Sequence, residues 1–211
     1  MKENRENFCT LYIVRHGETE WNAAKITQGQ TDSPLTNNGI SQVLTTAKEL
    51  KNIKFNAIYS SDLGRTKQSA EILKMERELA IETSKALRER NYGSFESRPS
   101  TDFKDAFRDI RENIMQLSEE ERVNFKFADD IESDAEIIAR FITKLREISV
   151  ANPAQKILVS THGGPIRLLL IHTGYYKRGE LPPGSIANAA YVKLLCDGID
   201  FFIEEVKGIK K

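Results

Sequence analysis

A short run of β-forming residues near the start of the chain ends abruptly in chemically active side chains. Residues 11–14, Leu-Tyr-Ile-Val, favour a buried strand, and Arg15, His16 and Gly17 follow at once. In an open α/β sheet, ligands bind just beyond the carboxyl ends of the strands, so this turn is a candidate site. Arginine offers a planar fork of donors to a phosphate or carboxylate, and a neutral imidazole is a nucleophile near physiological pH.

The same arrangement, a strand followed by His-Gly, recurs late in the chain. Residues 156–160 predict a buried strand, and His162, Gly163, Gly164 and Pro165 come shortly after it. Proline fits the first turn of a helix, and a helix beginning there would direct its free N–H groups beyond the strand end. Since the carboxyl ends of parallel strands meet at one edge of a sheet, we expect the two His-Gly turns to lie close together.

The segments between these turns alternate between strand and helix patterns. Strands are predicted at 8–14, 55–60, 79–82 and 156–160, and a hairpin at 189–195 and 201–206 around Asp197-Gly198. Thr36 is the expected N-cap of one helix, and Ser133 to Glu136 form a capping box that begins another. The order predicts an α/β fold, a three-layer α/β/α sandwich with a mostly parallel sheet, helices on both faces and a C-terminal hairpin.

Residues from about 94 to 130 break this alternation. A charged helix begins near Pro99, with Phe103 and Phe107 as its packing stripe, and Ser118 marks a second helix start. We expect one domain, residues 1–211, with a small helical cap insertion at about 94–130 lying over the strand ends.

Composition excludes several classes of partner. The 31 basic and 31 acidic residues cancel, so no overall field favours nucleic acid or a membrane surface. The two cysteines, Cys9 and Cys196, form no CxxC motif, and neither an apolar leader nor a membrane-length apolar run is present. The sequence predicts a cytoplasmic protein without a metal-binding motif, and it gives no oligomeric state.

Two further residues follow strand ends and are expected at the same edge. Arg65 follows the second predicted strand, and Glu89 follows the third. Together with the first turn and His162 they suit phosphoryl transfer, because Arg15 and Arg65 can hold the oxygens of a phosphomonoester. His16 would attack phosphorus in line and form a phosphohistidine, while His162 stabilises the developing charge.

Departure of the alcohol needs a proton donor, because an alkoxide leaves poorly. Glu89 is the candidate, and it must carry a proton when the substrate binds. The N–H groups of Gly163 and Gly164 supply further donors to the phosphoryl oxygens. This scheme requires no cofactor and no metal ion.

These residues stand within a set of motifs that resembles the histidine phosphatase superfamily, the phosphoglycerate mutase-like proteins. The similarity covers nearly the whole chain in family order. The matching motifs are Arg15-His16-Gly17-Glu18-Thr19 with Trp21-Asn22, Ser60-Ser61-Asp62-Leu63-Gly64-Arg65-Thr66, Leu87-Arg88-Glu89 with Tyr92-Gly93, and Ser160-Thr161-His162-Gly163-Gly164.

The resemblance implies a role for each residue of the site. It makes His16 the nucleophile and Glu89 the proton donor, and it places Arg15, Arg65 and His162 in the phosphate pocket.

The resemblance also implies substrate contacts outside the phosphate pocket. Asn22 matches a phosphate-binding asparagine, and Gln28 with Gly29 occupies a segment that touches substrate in the family. Asn188 matches an asparagine near the site, with less weight.

The chain departs from the family on the cap side. Asp129-Asp130-Ile131-Glu132-Ser133 replaces a Pro-Gly-Gly-Glu-Ser/Thr stretch, and Phe95-Glu96-Ser97 replaces Trp-Glu-Gly. Both changes concern substrate identity more than catalysis. If Asp129 and Asp130 lie at the pocket mouth, we expect them to disfavour a second phosphate by charge repulsion.

Three functions are compatible with these motifs. The leading one is a phosphatase of small phosphorylated metabolites, with water resolving the phosphohistidine. It is favoured because the chain is short and its insertion lacks the Trp-Arg-Arg type of segment associated with the mutases. The second is a cofactor-dependent phosphoglycerate mutase, and the third is a catalytically idle phosphate-binding module.

Overall fold

One six-stranded sheet organises the molecule. The computed structural model describes residues 5–114 and 116–210. The strands are β1 (Cys9–Arg15), β2 (Ala57–Ser61), β3 (Ile81–Ser84), β4 (Lys156–Thr161), β5 (Ile186–Cys196) and β6 (Phe201–Ile209), in the order β3-β2-β4-β1-β5-β6. Strands β1 to β4 are parallel, while β5 runs antiparallel to β1 and pairs with β6 as a hairpin. The predicted mostly parallel sheet with a C-terminal hairpin is confirmed.

Helices cover both faces of this sheet, which confirms the three-layer fold class. The described helices are α1 (Glu20–Ala23), α2 (Asn37–Glu49), α3 (Gly64–Lys74), α4 (Ser100–Ala106), α5 (Arg108–Ile114), α6 (Glu119–Asn124), α7 (Asp134–Ala151) and α8 (Gly163–His172). Alternate residues of β1 enter two separate cores, as the strand period of two requires. Leu11 and Ile13 pack in the core of α7 and α8, whereas Tyr12 and Val14 pack in that of α2 and α3.

The predicted helix starts are confirmed by their capping bonds. The Thr36 hydroxyl accepts the Gly39 N–H of α2 at 2.9 Å. At the start of α7, the Ser133 hydroxyl accepts the Glu136 N–H at 3.2 Å, and the Glu136 carboxylate accepts the Ser133 N–H at 2.8 Å. Each bond satisfies an N–H group that has no partner inside the helix.

Several strand boundaries differ from the prediction: β2 begins at Ala57 instead of 55, β6 continues to Ile209 instead of 206, and β3 and β5 begin at other residues than expected. Strand β3 begins at Ile81, because Leu79 donates to the Arg77 carbonyl in a turn before it. Strand β5 begins at Ile186 instead of 189, since it pairs with the end of β6 across an irregularity at Ala189, whose φ is +57°. Neither a local turn nor an irregular ladder is visible in the hydrophobic pattern.

The insertion forms three short helices, α4 to α6, held by aromatic packing. Phe103 is central, with ring centroids 5.1 to 5.5 Å from neighbouring rings, so the predicted packing stripe extends beyond α4. We call the six connected rings the aromatic cluster: Tyr92, Phe95, Phe103, Phe107, Phe125 and Phe127.

The two cysteines are far apart in sequence but lie beside each other on neighbouring strands of the sheet. Cys9 and Cys196 are direct partners in the β1–β5 ladder, and both are buried free thiols. Burial raises the pKa of Cys9 to about 11, so its thiol is unreactive at neutral pH. None of the described helices combines the length and the apolarity needed to cross a bilayer.

Candidate active site

The sheet order brings the two His-Gly turns side by side. Strand β4 lies next to β1, Arg15 is paired with Thr161, and the His16 N–H donates to the Thr161 carbonyl at 3.0 Å. The ring centroids of His16 and His162 are consequently 5.2 Å apart, with 65° between the ring planes. The expected proximity of the two imidazoles is therefore present in the structure.

His16 is held as a neutral imidazole. Its ring is almost fully buried, and Nδ1 lies 2.7 Å from the carbonyl oxygen of Gly17. A carbonyl only accepts, so we assign the proton to Nδ1, and Nε2 keeps its lone pair. Burial holds the pKa of His16 well below 6.5, and the nearby Arg65 and Arg15 charges lower it further. The neutral form, which is the form of imidazole that can act as a nucleophile, is thus the stable form at neutral pH.

His162 is held by two contacts that define its tautomer. Its Nδ1 lies 3.2 Å from Nη2 of Arg65, and its Nε2 lies 3.0 Å from the hydroxyl oxygen of Ser61. Arginine only donates, so Nδ1 accepts and Nε2–H donates to Ser61. Burial, followed by the Arg65 charge, lowers the pKa of His162 well below 6.5. Ser61 belongs to one of the motifs that carry the family resemblance, but its contact with His162 was not predicted.

Arg65, the second residue of α3, reaches into the same site. Its Nη1 donates to the Thr31 carbonyl at 2.7 Å and to Asp32 at 3.1 Å, and its Nη2 donates to the Gly29 carbonyl at 2.7 Å. The side chain is only 1% exposed. The loop before α2 therefore fixes this guanidinium. Sequence reasoning missed Asp32, because no local pattern links it to α3.

Arg15 completes the cationic part of the pocket. Its Nη1 donates to the Ile186 carbonyl, so the start of β5 sets its position. A Cβ atom at residue 163 would lie 3.2 Å from Arg15 Nε, and Gly163 allows this close approach. Within the described residues, the buried Nε atoms of Arg15 and Arg65 have no hydrogen-bond partner. Buried charged donors without acceptors are rare, and they suit an anion placed between them.

Glu89 lies against the first turn of α8. Its Oε2 accepts the Gly164 N–H at 3.0 Å, and its Oε1 accepts the Arg90 N–H at 2.8 Å. A Cβ atom on residue 164 would approach Oε1 to 2.1 Å, so a larger residue there would displace the Glu89 carboxylate from this position. Glu89 also lies close enough to Arg15 and Arg65 for its carboxyl group to act on the pKa of both guanidinium groups. The structure thus brings the predicted acid to the edge of the pocket.

The remaining predicted residues line the same region. Asn188 Nδ2 donates to Asn22 Oδ1 at 3.0 Å and to the His16 carbonyl at 3.4 Å, so the two asparagines hold each other beside the nucleophile. Gln28 is buried, and its Oε1 has no partner among the described residues. Gly29 adopts φ +55° and turns its carbonyl towards Arg65.

Glu96 anchors the loop that carries Gln28 and Gly29, a role that the sequence did not predict. Its carboxylate accepts backbone N–H groups from Gln30, Thr31 and Tyr92 at 2.8 to 3.0 Å. The glutamate is the one member of the family's Trp-Glu-Gly stretch that this chain keeps. The retained glutamate was the sequence signal from which this role could have been predicted.

The Asp129-Asp130 pair, which departs from the family motif just before α7, has a local structural role. Asp130 accepts the Ser94 N–H at 2.7 Å, and both Asp129 and Asp130 are exposed. Repulsion of a second phosphate stays a prediction. Among residues 5–114 and 116–210, no group of three or more His, Cys, Asp or Glu side chains is arranged to hold a metal ion.

Comparison with known proteins places this geometry in a family. The sequence pattern of the histidine phosphatase superfamily (branch 1) matches residues 11–207. Among curated proteins, the "Probable phosphoglycerate mutase GpmB" of Yersinia pestis (strain Pestoides F) is 51% identical over 89 residues, which are 42% of this chain and 41% of that protein. The matched stretch thus spans about two fifths of the curated relatives' length.

Solved structures share the whole fold. Bacillus stearothermophilus YhfR superposes with a TM-score of 0.82 at 25% identity, over 96% of this chain and 98% of that one. A mycobacterial glucosyl-3-phosphoglycerate phosphatase complexed with VO3 superposes with a TM-score of 0.77 at 23% identity, over 95% and 99% of the two chains.

Proposed function

Because this chain belongs to the histidine phosphatase superfamily, branch 1, we propose that it hydrolyses small phosphomonoesters through a phosphohistidine on His16. One observation carries the proposal. A buried neutral imidazole stands 5.2 Å from a second one, beside two guanidinium groups whose Nε donors lack partners among the described residues. This arrangement combines a nucleophile with donors for the equatorial oxygens of a phosphoryl group.

The reaction has two balanced steps. Nε2 of His16 attacks phosphorus, the P–O ester bond breaks, and the departing oxygen takes a proton from Glu89 to leave as an alcohol. A water molecule then attacks the phosphohistidine and gives its proton to Glu89, which releases inorganic phosphate and restores the imidazole. Arg15 and Arg65 hold the phosphoryl oxygens throughout, while His162, which accepts from Arg65 and donates to Ser61, holds the Arg65 guanidinium in place. The proposed route uses no metal ion and no organic cofactor.

A phosphoglycerate mutase is the second candidate. The 51% identity to a protein named as a probable phosphoglycerate mutase, over 89 residues, favours it. In a mutase the phosphohistidine passes its group to another hydroxyl instead of water. The chain's one tryptophan is Trp21, so the cap contains no Trp-Arg-Arg segment, and this favours hydrolysis. The partner in either case is a small phosphorylated metabolite, in a cytoplasmic location.

Product analysis separates these readings. The protein is incubated with 3-phosphoglycerate and, separately, with p-nitrophenyl phosphate, and both free phosphate and the 2-isomer are measured. We expect free phosphate from both compounds. Appearance of the 2-isomer without phosphate release would identify a mutase. No turnover of either compound, or of a wider panel of phosphorylated metabolites, between pH 5 and 8 would leave the binding module.

A further inference from the structure

Arg140, on α7, uses all five of its N–H donors around the loop that carries Glu89. Its Nε and Nη2 donate to the Glu132 carboxylate at 2.8 and 2.9 Å. Its Nη1 donates to the carbonyls of Ala86 and Arg88 at 3.0 and 2.6 Å, and Nη2 also donates to the Glu89 carbonyl at 2.8 Å. A guanidinium has five donors in a rigid fork, so this side chain is fully occupied.

Glu132 holds the other side of the same loop. Its Oε2 accepts the Asn91 N–H at 2.8 Å, and its own N–H donates to the Asn91 carbonyl at 3.0 Å. The backbone is therefore gripped on both sides of Glu89 by one ion pair. Among the described residues, the groups that donate to the Glu89 carboxyl group are the backbone N–H groups of Arg90 and Gly164.

We propose that Arg140, held in place by Glu132, is a positioning residue that sets the reach of the Glu89 carboxyl group towards the leaving oxygen. This inference rests on the proposed function, in which Glu89 is the proton donor. A general acid acts only within hydrogen-bond reach of the atom it protonates. A displacement of about 1 Å reduces catalysis about 100-fold. Three charge-assisted bonds from Arg140 to the carbonyl groups of this short loop, with Glu132 holding the guanidinium by two more, restrict such a displacement.

Leaving-group dependence distinguishes positioning from simple loop stability. p-Nitrophenolate departs without help, whereas the alkoxide of 2-glycerophosphate needs a proton. A badly placed acid therefore slows the alkyl ester selectively, while partial unfolding slows both esters equally. The ratio kcat/KM is the appropriate measure, because it reports the steps up to formation of the phosphohistidine and not its later hydrolysis.

The test compares Arg140→Gln with the parent protein on both esters. We expect kcat/KM for 2-glycerophosphate to fall about 10- to 100-fold more than that for p-nitrophenyl phosphate. Arg140→Lys keeps the charge but not the fork, so an intermediate selective loss is expected. Arg146→Gln is the matched control on the same helix, since Arg146 donates to the distant Ile199 carbonyl, and it should leave both values unchanged.

Glu89→Gln separates failure of this inference from failure of the proposed function. If Glu89→Gln loses the alkyl ester selectively but Arg140→Gln loses both esters equally, or neither, the positioning role is wrong and the proposed function stands. If Glu89→Gln is not selective, the proton-donor assignment itself is wrong. Should Arg140→Gln not fold, as judged by circular dichroism, Glu132→Gln removes the same ion pair and is judged by the same two outcomes.

Discussion

Three side chains at the centre of the pocket are almost completely buried, whereas the six rings of the aromatic cluster are all half-buried. His16, Arg65 and His162 are each no more than 3% exposed and are held by bonds to strand ends and to the loop before α2. The rings of the cluster pack on each other, and Phe103 lies on α4, a helix of seven residues. Burial of charge in the pocket serves chemistry, while the cap gains its order from contacts among its own rings. Changes in the two regions should therefore affect different measurements.

Removing the nucleophile should have the largest effect on activity. His16→Ala is expected to lower kcat for p-nitrophenyl phosphate about 10⁴-fold or more, because loss of the attacking group removes the covalent route. The check is the initial rate of phosphate release, together with incorporation of labelled phosphate into the protein. His172→Ala is the control, since His172 is exposed at the far end of α8. A His16→Ala protein that works at the parent rate would refute the assignment.

The local sequence pattern predicted the site residues that follow strand ends, but it did not predict the residues that hold those side chains in place. Arg65 and His162 could be placed because parallel strands end at a common edge. Asp32, Glu96 and Arg140 could not, because each contacts a segment that is remote in sequence. Their partners depend on how loops return to the sheet, and neither hydrophobic period nor turn chemistry encodes that. The sheet order, and the neighbouring positions of Cys9 and Cys196 in the β1–β5 ladder, could not be predicted for the same reason.

The pocket should also make folding stability depend on pH, over a pH range in which the cap has no such effect. Burial keeps the pKa of His16 and of His162 well below 6.5 in the folded state, while both histidines bind protons near pH 6.5 when unfolded. The unfolded state therefore gains more protons as the pH falls, and stability decreases. Between pH 6.5 and 5.5 each histidine should contribute a loss of about 1 kcal/mol.

Urea unfolding at several pH values measures this dependence. His16→Gln should reduce the slope of stability against pH in that window, because one of the two titrating rings is gone. Phe103→Leu, a change in the cap, should leave the slope unaltered. An unchanged slope in His16→Gln would mean that the ring binds protons as readily in the folded protein as in the unfolded chain, contrary to the buried neutral form described above.

A truncation in the cap should alter stability but not phosphate binding. Phe103→Ala removes the central ring of the cluster, and because that ring is half-buried we expect a loss of about 2 kcal/mol, less than for a fully buried phenylalanine. Competitive inhibition by inorganic phosphate should stay at the parent value. Phe103→Leu should recover most of the stability. A weakened phosphate inhibition in Phe103→Ala would show that the two regions are coupled.

The smallest expected effect tests strain on the cap side of the site. Ser97 donates its N–H to the Thr27 carbonyl at 2.8 Å, with φ at +66°, in the left-handed region that glycine adopts most easily. Ser97→Gly relieves that strain but increases the freedom of the unfolded chain, so we expect a net gain of about 0.5 kcal/mol. Ser94→Gly is the control: Ser94 is exposed in the same segment without a positive φ, and glycine there should destabilise by a similar amount. Because the strained residue directly follows Glu96, which anchors the loop that carries Gln28 and Gly29, equal losses of stability in both variants would mean that this loop, and not strain at Ser97, determines the backbone conformation.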